Sequence, residues 1–233
     1  MKFRHELKYL INPGDAELLR ERLDVLLKRD VHTIGGQYHI RSLYFDDYWD
    51  TAYREKTAGV TGRKKYRIRV YNLQDRVIKL ECKLRSASYI SKISAPLTRE
   101  ELDLIWNGKY DFLLKREETL CRQFYYECTS RMLRPRIFVD YEREPFTLAA
   151  GDVRITLDKD VRGAYPGFPM FDPDLVFHHV LEPGKLVMEV KFTEFLPRIV
   201  QQILPLRATE FAAVSKFTLC CERVNYLTAK VSE

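Results

Sequence analysis

Three Glu-x-Lys pairs fall in strand-like stretches of the chain, Glu6/Lys8, Glu81/Lys83 and Glu189/Lys191, and a fourth stretch carries Arg67 and Arg69. Side chains alternate along a strand, so each pair points both of its charges to one face of a sheet. The residues between and beside them are largely apolar: Leu7 and Tyr9, Ile68 and Val70, Leu80 and Cys82, Val190 and Phe192. One face is therefore greasy, and the other carries cations with interspersed carboxylates. Arg143, Arg154 and Asp158 extend the charged set. Such a face, repeated strand after strand, suits a polyanion and a metal ion. For any single pair, a solvated sheet face with Glu and Lys paired across strands is the plainer explanation. It explains the whole set less well, because cations outnumber carboxylates and the neutral polar residues of a solvated face are sparse. Two like charges about 7 Å apart on one strand face, as in Arg67 and Arg69, are unfavourable unless an anion lies between them.

The chemistry such a face supports is phosphoryl transfer, which needs positioning and charge neutralisation more than covalent help. Arginine forks grip phosphate oxygens two at a time, and lysine supplies a point charge. A carboxylate such as Glu189 could hold Mg²⁺ or Mn²⁺ bridging phosphate oxygens. The sequence contains neither the phosphate-binding loop of P-loop proteins nor the glycine fingerprint of dinucleotide folds, and no Ser/His/Asp or Cys/His set stands out. The histidines (5, 32, 39, 178, 179) show no ligand spacing, and His178/His179 are expected on a loop. Five cysteines without a Cys-x-x-Cys motif read as reduced thiols in a core, which implies a cytoplasmic protein.

These residues need strands to hold them. The chain has 233 residues, 45% hydrophobic and 31% charged, with a net charge of +6. That is an ordinary globular balance that favours anionic partners. No run approaches the roughly 18 apolar residues of a membrane helix, and the N-terminus has no apolar signal core. Alternation predicts strands at 3–11, 38–46, 65–72, 76–84, 88–95, 136–148, 152–158 and 185–193. Asn12-Pro13 reads as the start of a helix to about Arg29. Residues 50–58 read as a short helix or turn, and Thr98 with Glu101 as a capping box. Residues 111–132 read as one helix. A helical tail spans about 197–229, broken at Pro205. Nothing reads as a linker, so one domain over 1–233 is expected. The fold class is α+β: a closed antiparallel β-barrel of about eight strands with appended helices, its charged face turned inward.

The ordered set RHELKYLI (4–11), SLYFDD (42–47), GRKKYRIRVY (62–71), LECK (80–83), DYEREPF (140–146), VRITLD (153–158), MEVKF (188–192) and SKF (215–217) resembles the VTC domain. That is the polyphosphate polymerase branch of the triphosphate tunnel metalloenzymes, relatives of the CYTH proteins. The resemblance covers nearly the whole chain. It implies a tunnel-shaped barrel that binds ATP or another triphosphate. It also implies a divalent metal, Mn²⁺ or Mg²⁺, on Glu189, and transfer of the terminal phosphate of ATP to inorganic polyphosphate. Carried onto this chain, the phosphate cradle is Lys8, Lys56 (with Arg54 the rival alignment), Arg67, Arg69, Lys83, Arg143, Arg154, Lys191, Ser215 and Lys216. Of these, Lys8, Lys83, Arg154, Lys191 and Lys216 are the candidate catalytic cations. Glu6, Glu81 and Asp158 are further tunnel carboxylates. One departure is Ala213, where some members have lysine. The regulatory SPX domain and membrane helices of eukaryotic subunits are not expected, so membrane delivery of product would need a separate partner protein. Triphosphate hydrolysis in the same tunnel and metal-independent polyanion binding are the competing functions. Specific nucleic acid is not an expected partner. RNA readers add exposed aromatics for stacking, whereas Tyr44, Phe45, Tyr71 and Tyr141 read as packing residues. Arg116, Arg122, Arg131 and Arg134 read as a solvated face.

Overall fold

The computed structural model describes residues 5–86, 89–204, 210–211 and 214–231. In chain order the elements are β1 (His5–Ile11), α1 (Pro13–Leu26), β2 (Lys28–Arg29), β3 (Tyr38–Asp46), α2 (Thr51–Thr57), β4 (Arg63–Tyr71), β5 (Gln74–Ser86), β6 (Tyr89–Leu97) and α3 (Arg99–Trp106). A 3-10 turn (Asp111–Lys115) leads to α4 (Thr119–Ser130), β7 (Arg134–Leu148), β8 (Val153–Ala164), β9 (His178–His179), β10 (Leu186–Phe192), α5 (Arg198–Ile203), β11 (Glu210–Phe211) and α6 (Lys216–Val231). The class is α+β, and the pairings among the long strands are antiparallel. Strands β2, β9 and β11 are two residues each, so the long strands are the eight the alternation predicts. The histidine pair expected on a loop forms β9.

The chain divides into two compact units that interleave in sequence. The first comprises 1–39, 141–162 and 179–215; the second comprises 40–140, 163–178 and 216–233. Strand β7 contributes its first half to the second unit and its remainder to the first.

In the first unit the strand order is β11-β1-β10-β8-β7. The apolar residues of the alternation, Tyr9, Ile11, Ile155, Leu157, Met188 and Val190, form one core cluster with Leu19 and Leu23 of α1 and Val200 of α5. These helices cover the greasy face because they carry the matching stripe. Asn12 caps α1: its side chain accepts a hydrogen bond from the Asp15 amide, and Pro13 sits in the first turn. That arrangement satisfies one orphan amide and removes another.

In the second unit β3-β4-β5-β6 follow one another, with β7 beside β3. Leu43, Phe45, Tyr66, Ile68, Leu80 and Cys82 pack with Leu102 and Ile105 of α3 and with Leu120, Phe124 and Cys128 of α4. The capping box of α3 is complete: Thr98 accepts from the Glu101 amide, and Glu101 accepts from the Thr98 amide. The helix expected over 111–132 is interrupted at 116–118. There Arg116 binds Glu101, Glu118 and the Pro96 carbonyl, tying the break to the α3 cap. Arg116 and Arg122, expected on a solvated face, are thus held in place, Arg122 by the carbonyls of Arg116 and Glu117. The tail is not one helical segment: α5, β11 and α6 share it. Pro205 and Ala213 lie outside the described residues.

Candidate functional site

The first unit assembles a cluster around one carboxylate. Cross-strand register puts Glu6 opposite Lys191 and Lys8 opposite Glu189 on β1 and β10. It puts Glu189 opposite Thr156 and Lys191 opposite Arg154 on β10 and β8. Because opposed residues share a face, Glu6, Lys8, Arg154, Thr156, Asp158, Glu189 and Lys191 all stand on the side away from the apolar core. The Glu189 carboxylate lies 3.4 Å from the Lys8 ammonium, 3.2 Å from that of Lys191 and 3.7 Å from the Arg143 guanidinium. Lys8 also lies 3.0 Å from Glu6. Beneath these, Arg143 makes a two-pronged bond to the fully buried Asp158, at 2.6 and 2.8 Å. Burial opposes the charge on Arg143, but Asp158, Tyr141 and Glu189 more than offset it and raise its pKa well above the usual value. Arg143 therefore stays a cation, with two of its donors engaged by Asp158.

Lys191 is in a different state. Glu189 favours its charged form, yet lost hydration together with the neighbouring Arg143 and Lys8 leaves its pKa below that of an ordinary lysine. An incoming anion would relieve that strain. Arg154 donates to Asp30 and to the Tyr38 hydroxyl, each at 3.0 Å, while its Nε is buried with no hydrogen-bond partner. A guanidinium half-satisfied in this way is set to accept a further oxygen.

The second unit presents a more one-sided array. On β4, β5 and β6 the side away from the core carries Arg63, Lys65, Arg67, Arg69, Lys79, Lys83, Arg85 and Lys92 against a single carboxylate, Glu81. Lys65, Lys83 and Lys92 stand on one rung, directly opposed, an arrangement that destabilises a sheet. Lys65 rests over the Phe217 ring at 4.1 Å. The anion beside the Arg67/Arg69 pair belongs to the protein: Arg67 binds Glu81 at 2.7 Å and donates to the Tyr44 hydroxyl at 2.8 Å, and Arg69 donates to Ser42 at 3.0 Å. Lys92 reaches the other Glu81 oxygen at 2.8 Å. Burial would raise the Glu81 carboxyl, but Arg67, Arg69 and Lys92 overcome it and hold the pKa well below the usual range. Tyr44, read from sequence as packing, thus stands on the charged side as a partner of Arg67. Tyr141 likewise lies under the Arg143 guanidinium, 5.2 Å away.

The remaining candidates of the second unit, Lys56 and Lys216, stand on helices. Lys56 is half-buried in α2, and Arg54 beside it is exposed. Lys216 is buried at the start of α6, directly after Ser215. Sequence reasoning missed Asp30, Tyr38, Ser42 and Thr156. Thr156 stands two residues from Arg154 and from Asp158 on the charged face, yet its residue type carries no signal of its own.

Over residues 3–225 the sequence matches the model of the VTC domain. The chain belongs to the VTC domain family. Membership makes it a protein of the triphosphate-tunnel class. Solved structures resembling this VTC-domain chain share little of its sequence. A Bacillus halodurans protein named as a candidate adenylate cyclase is 12% identical, with a TM-score of 0.50, 92% of this chain and 94% of that one being covered. It shows likeness of fold alone. A Pyrococcus horikoshii OT3 protein is also 12% identical, over 94% of this chain and 99% of the other, with a TM-score of 0.47. No curated protein matches the VTC-domain chain. No described helix is long and apolar enough to cross a membrane.

Among the described residues no group of three His, Cys, Asp or Glu side chains could hold a metal ion. An all-protein cage for a divalent cation does not fit. Mg²⁺-type sites on nucleotides need less: one or two carboxylates, with phosphates and water completing the shell. Glu189 and Glu6, both within reach of the Lys8 ammonium, supply that number.

Proposed function

We propose that this chain is a metal-dependent polyphosphate polymerase that transfers the γ-phosphate of ATP to a growing polyphosphate chain. The observation that carries the reading is Glu189 ringed by Lys8, Lys191 and Arg143, within a chain matching the VTC domain almost end to end. Lys8, Lys191 and Arg154 turn to phosphate oxygens, Arg154 offering its unpartnered Nε. Arg143 and Asp158 stay paired and fix the floor on which Glu189 stands. Glu189, with Glu6, would hold a divalent cation accompanying the triphosphate. When bound, that cation neutralises charge on the phosphate oxygens. The cations of β4 to β6 are a surface for a polyanion, either triphosphate or product. Lys83 is a candidate there, standing in register between Lys65 and Lys92. No general base is required of the protein, because the acceptor phosphate is already an anion.

The test is to incubate pure protein with ATP and Mn²⁺ and resolve the products on a gel. Long polyphosphate with ADP is the expected result. Orthophosphate alone would assign the cluster to triphosphate hydrolysis, and no product would leave polyanion binding. Glu189→Gln is expected to abolish turnover while anion binding persists.

A further inference from the structure

One buried group in the first unit has no role in the account above. Thr156 is 1% exposed, and its hydroxyl has no hydrogen-bond partner. Its neighbours along β8, Ile155 and Leu157, belong to the core, so Thr156 faces the charged side, directly opposite Glu189. A hydroxyl beside a carboxylate would ordinarily donate to it, and burying it unpaired costs stability. Here the hydroxyl and the carboxylate share a rung without bonding to each other. A ligand that serves both must suit a negative carboxylate and a neutral oxygen together. Phosphate fails, since its oxygens would lie against Glu189. A divalent cation succeeds, because hard cations take carboxylate and neutral oxygen ligands alike.

We propose that the Thr156 hydroxyl is a third protein ligand, beside the Glu189 and Glu6 carboxylates, for the divalent cation. The inference rests on the proposed function in that the cation comes with a triphosphate. It adds a neutral oxygen to the carboxylate ligands. The division of labour along β8 follows: Arg154 serves phosphate and Thr156, one alternation further, serves the metal. With a cation on Glu189, Lys8 and Lys191, which pair with that carboxylate, would be available to phosphate oxygens.

The experiment compares the affinity for inorganic tripolyphosphate in Mn²⁺ with that in EDTA, by calorimetry, for the wild type, Thr156→Val and Thr156→Ser. The wild type is expected to bind more tightly in Mn²⁺. Thr156→Val is expected to lose about tenfold of that gain, with its EDTA affinity within twofold of wild type, and Thr156→Ser to retain the gain. Without metal, Thr156→Val is expected to melt at or above the wild-type temperature, because an unpaired hydroxyl has left the interior. The proposal is overturned if Thr156→Val keeps the full Mn²⁺ gain, if its EDTA affinity falls equally, or if it melts several degrees lower. A wild type with no Mn²⁺ gain would instead overturn the cation's part in the proposed function itself. Retention of the gain in Thr156→Val sinks only the assignment of this residue.

Discussion

Arg143 and Lys191 stand within one cluster and answer to different demands. Arg143 neutralises an Asp158 that water cannot reach. Removing it in Arg143→Ala leaves that charge buried and alone, which costs about 3–5 kcal/mol. Urea denaturation at neutral pH measures the loss. Lys191 has only its charge to give. Lys191→Ala should weaken tripolyphosphate binding by about 1.5–3 kcal/mol, the worth of a charge-assisted contact, while circular dichroism shows the fold intact. The direction of its pKa adds a second outcome. A lysine that loses its proton below the ordinary lysine pKa loses its hold on phosphate at lower pH. Affinity should therefore fall on the alkaline side earlier than an ordinary lysine would allow, and Lys191→Arg should move that limb upward. Glu81 works in the opposite sense. Its folded pKa is depressed, so its ion pairs stabilise the protein above the unfolded carboxylate pKa of about 4.3. That stability is lost as pH falls below this value toward the folded one. Glu81→Gln should lower stability at pH 7 and flatten the decline between pH 5 and pH 3, as followed by thermal unfolding. At this scale the charged candidates were legible, because a Glu-x-Lys pair announces its face. Thr156 was not, since a threonine in a strand reads as an ordinary β-former. Asp30 and Tyr38 were not either, because their partnership with Arg154 is made by folding and not by spacing.

The helices and turns divide along the same line. Asn12-Pro13 and Thr98/Glu101 were readable because a cap is a local hydrogen bond whose partners lie within four residues. The break before α4 was not, because Arg116 holds it through Glu101 and the Pro96 carbonyl on distant segments. The turn between β4 and β5 is the clearest miss, although the two strands themselves were read. Its two-residue connection, Asn72-Leu73, has both residues at positive φ, 52° and 53°, the conformation that favours Asn-Gly. Leucine gives no hint of such a turn and pays for adopting it. Leu73→Gly should stabilise the protein by roughly 1 kcal/mol, the penalty of a left-handed residue with a Cβ. Chemical denaturation would show it, with tripolyphosphate affinity unchanged because the hairpin tip carries none of the candidate cations.

For the molecule as a whole, composition gave the partner class and alternation gave the fold class. A net charge of +6 and a cationic face on β4 to β6 point to one kind of ligand. What alternation could not supply was how the charges offset one another inside the protein. Arg67 and Arg69 looked as though they needed a foreign anion, and Glu81 fills that place. Cations still outnumber carboxylates on the charged side of β4 to β6. A ligand that binds only the folded state should therefore stabilise it: at a hundred times its dissociation constant, tripolyphosphate should add about 2.7 kcal/mol. Melting curves across a titration would test this, with added salt diminishing the effect.

The rung of Lys65, Lys83 and Lys92 has one more consequence. Three lysines in register load neighbouring strands with like charge, which a neutral version would not carry. A laboratory lineage bred for heat tolerance, and never asked to bind anything, should keep Lys92, which Glu81 holds, and thin out the like charge beside it, leaving a sturdier protein with a dulled grip.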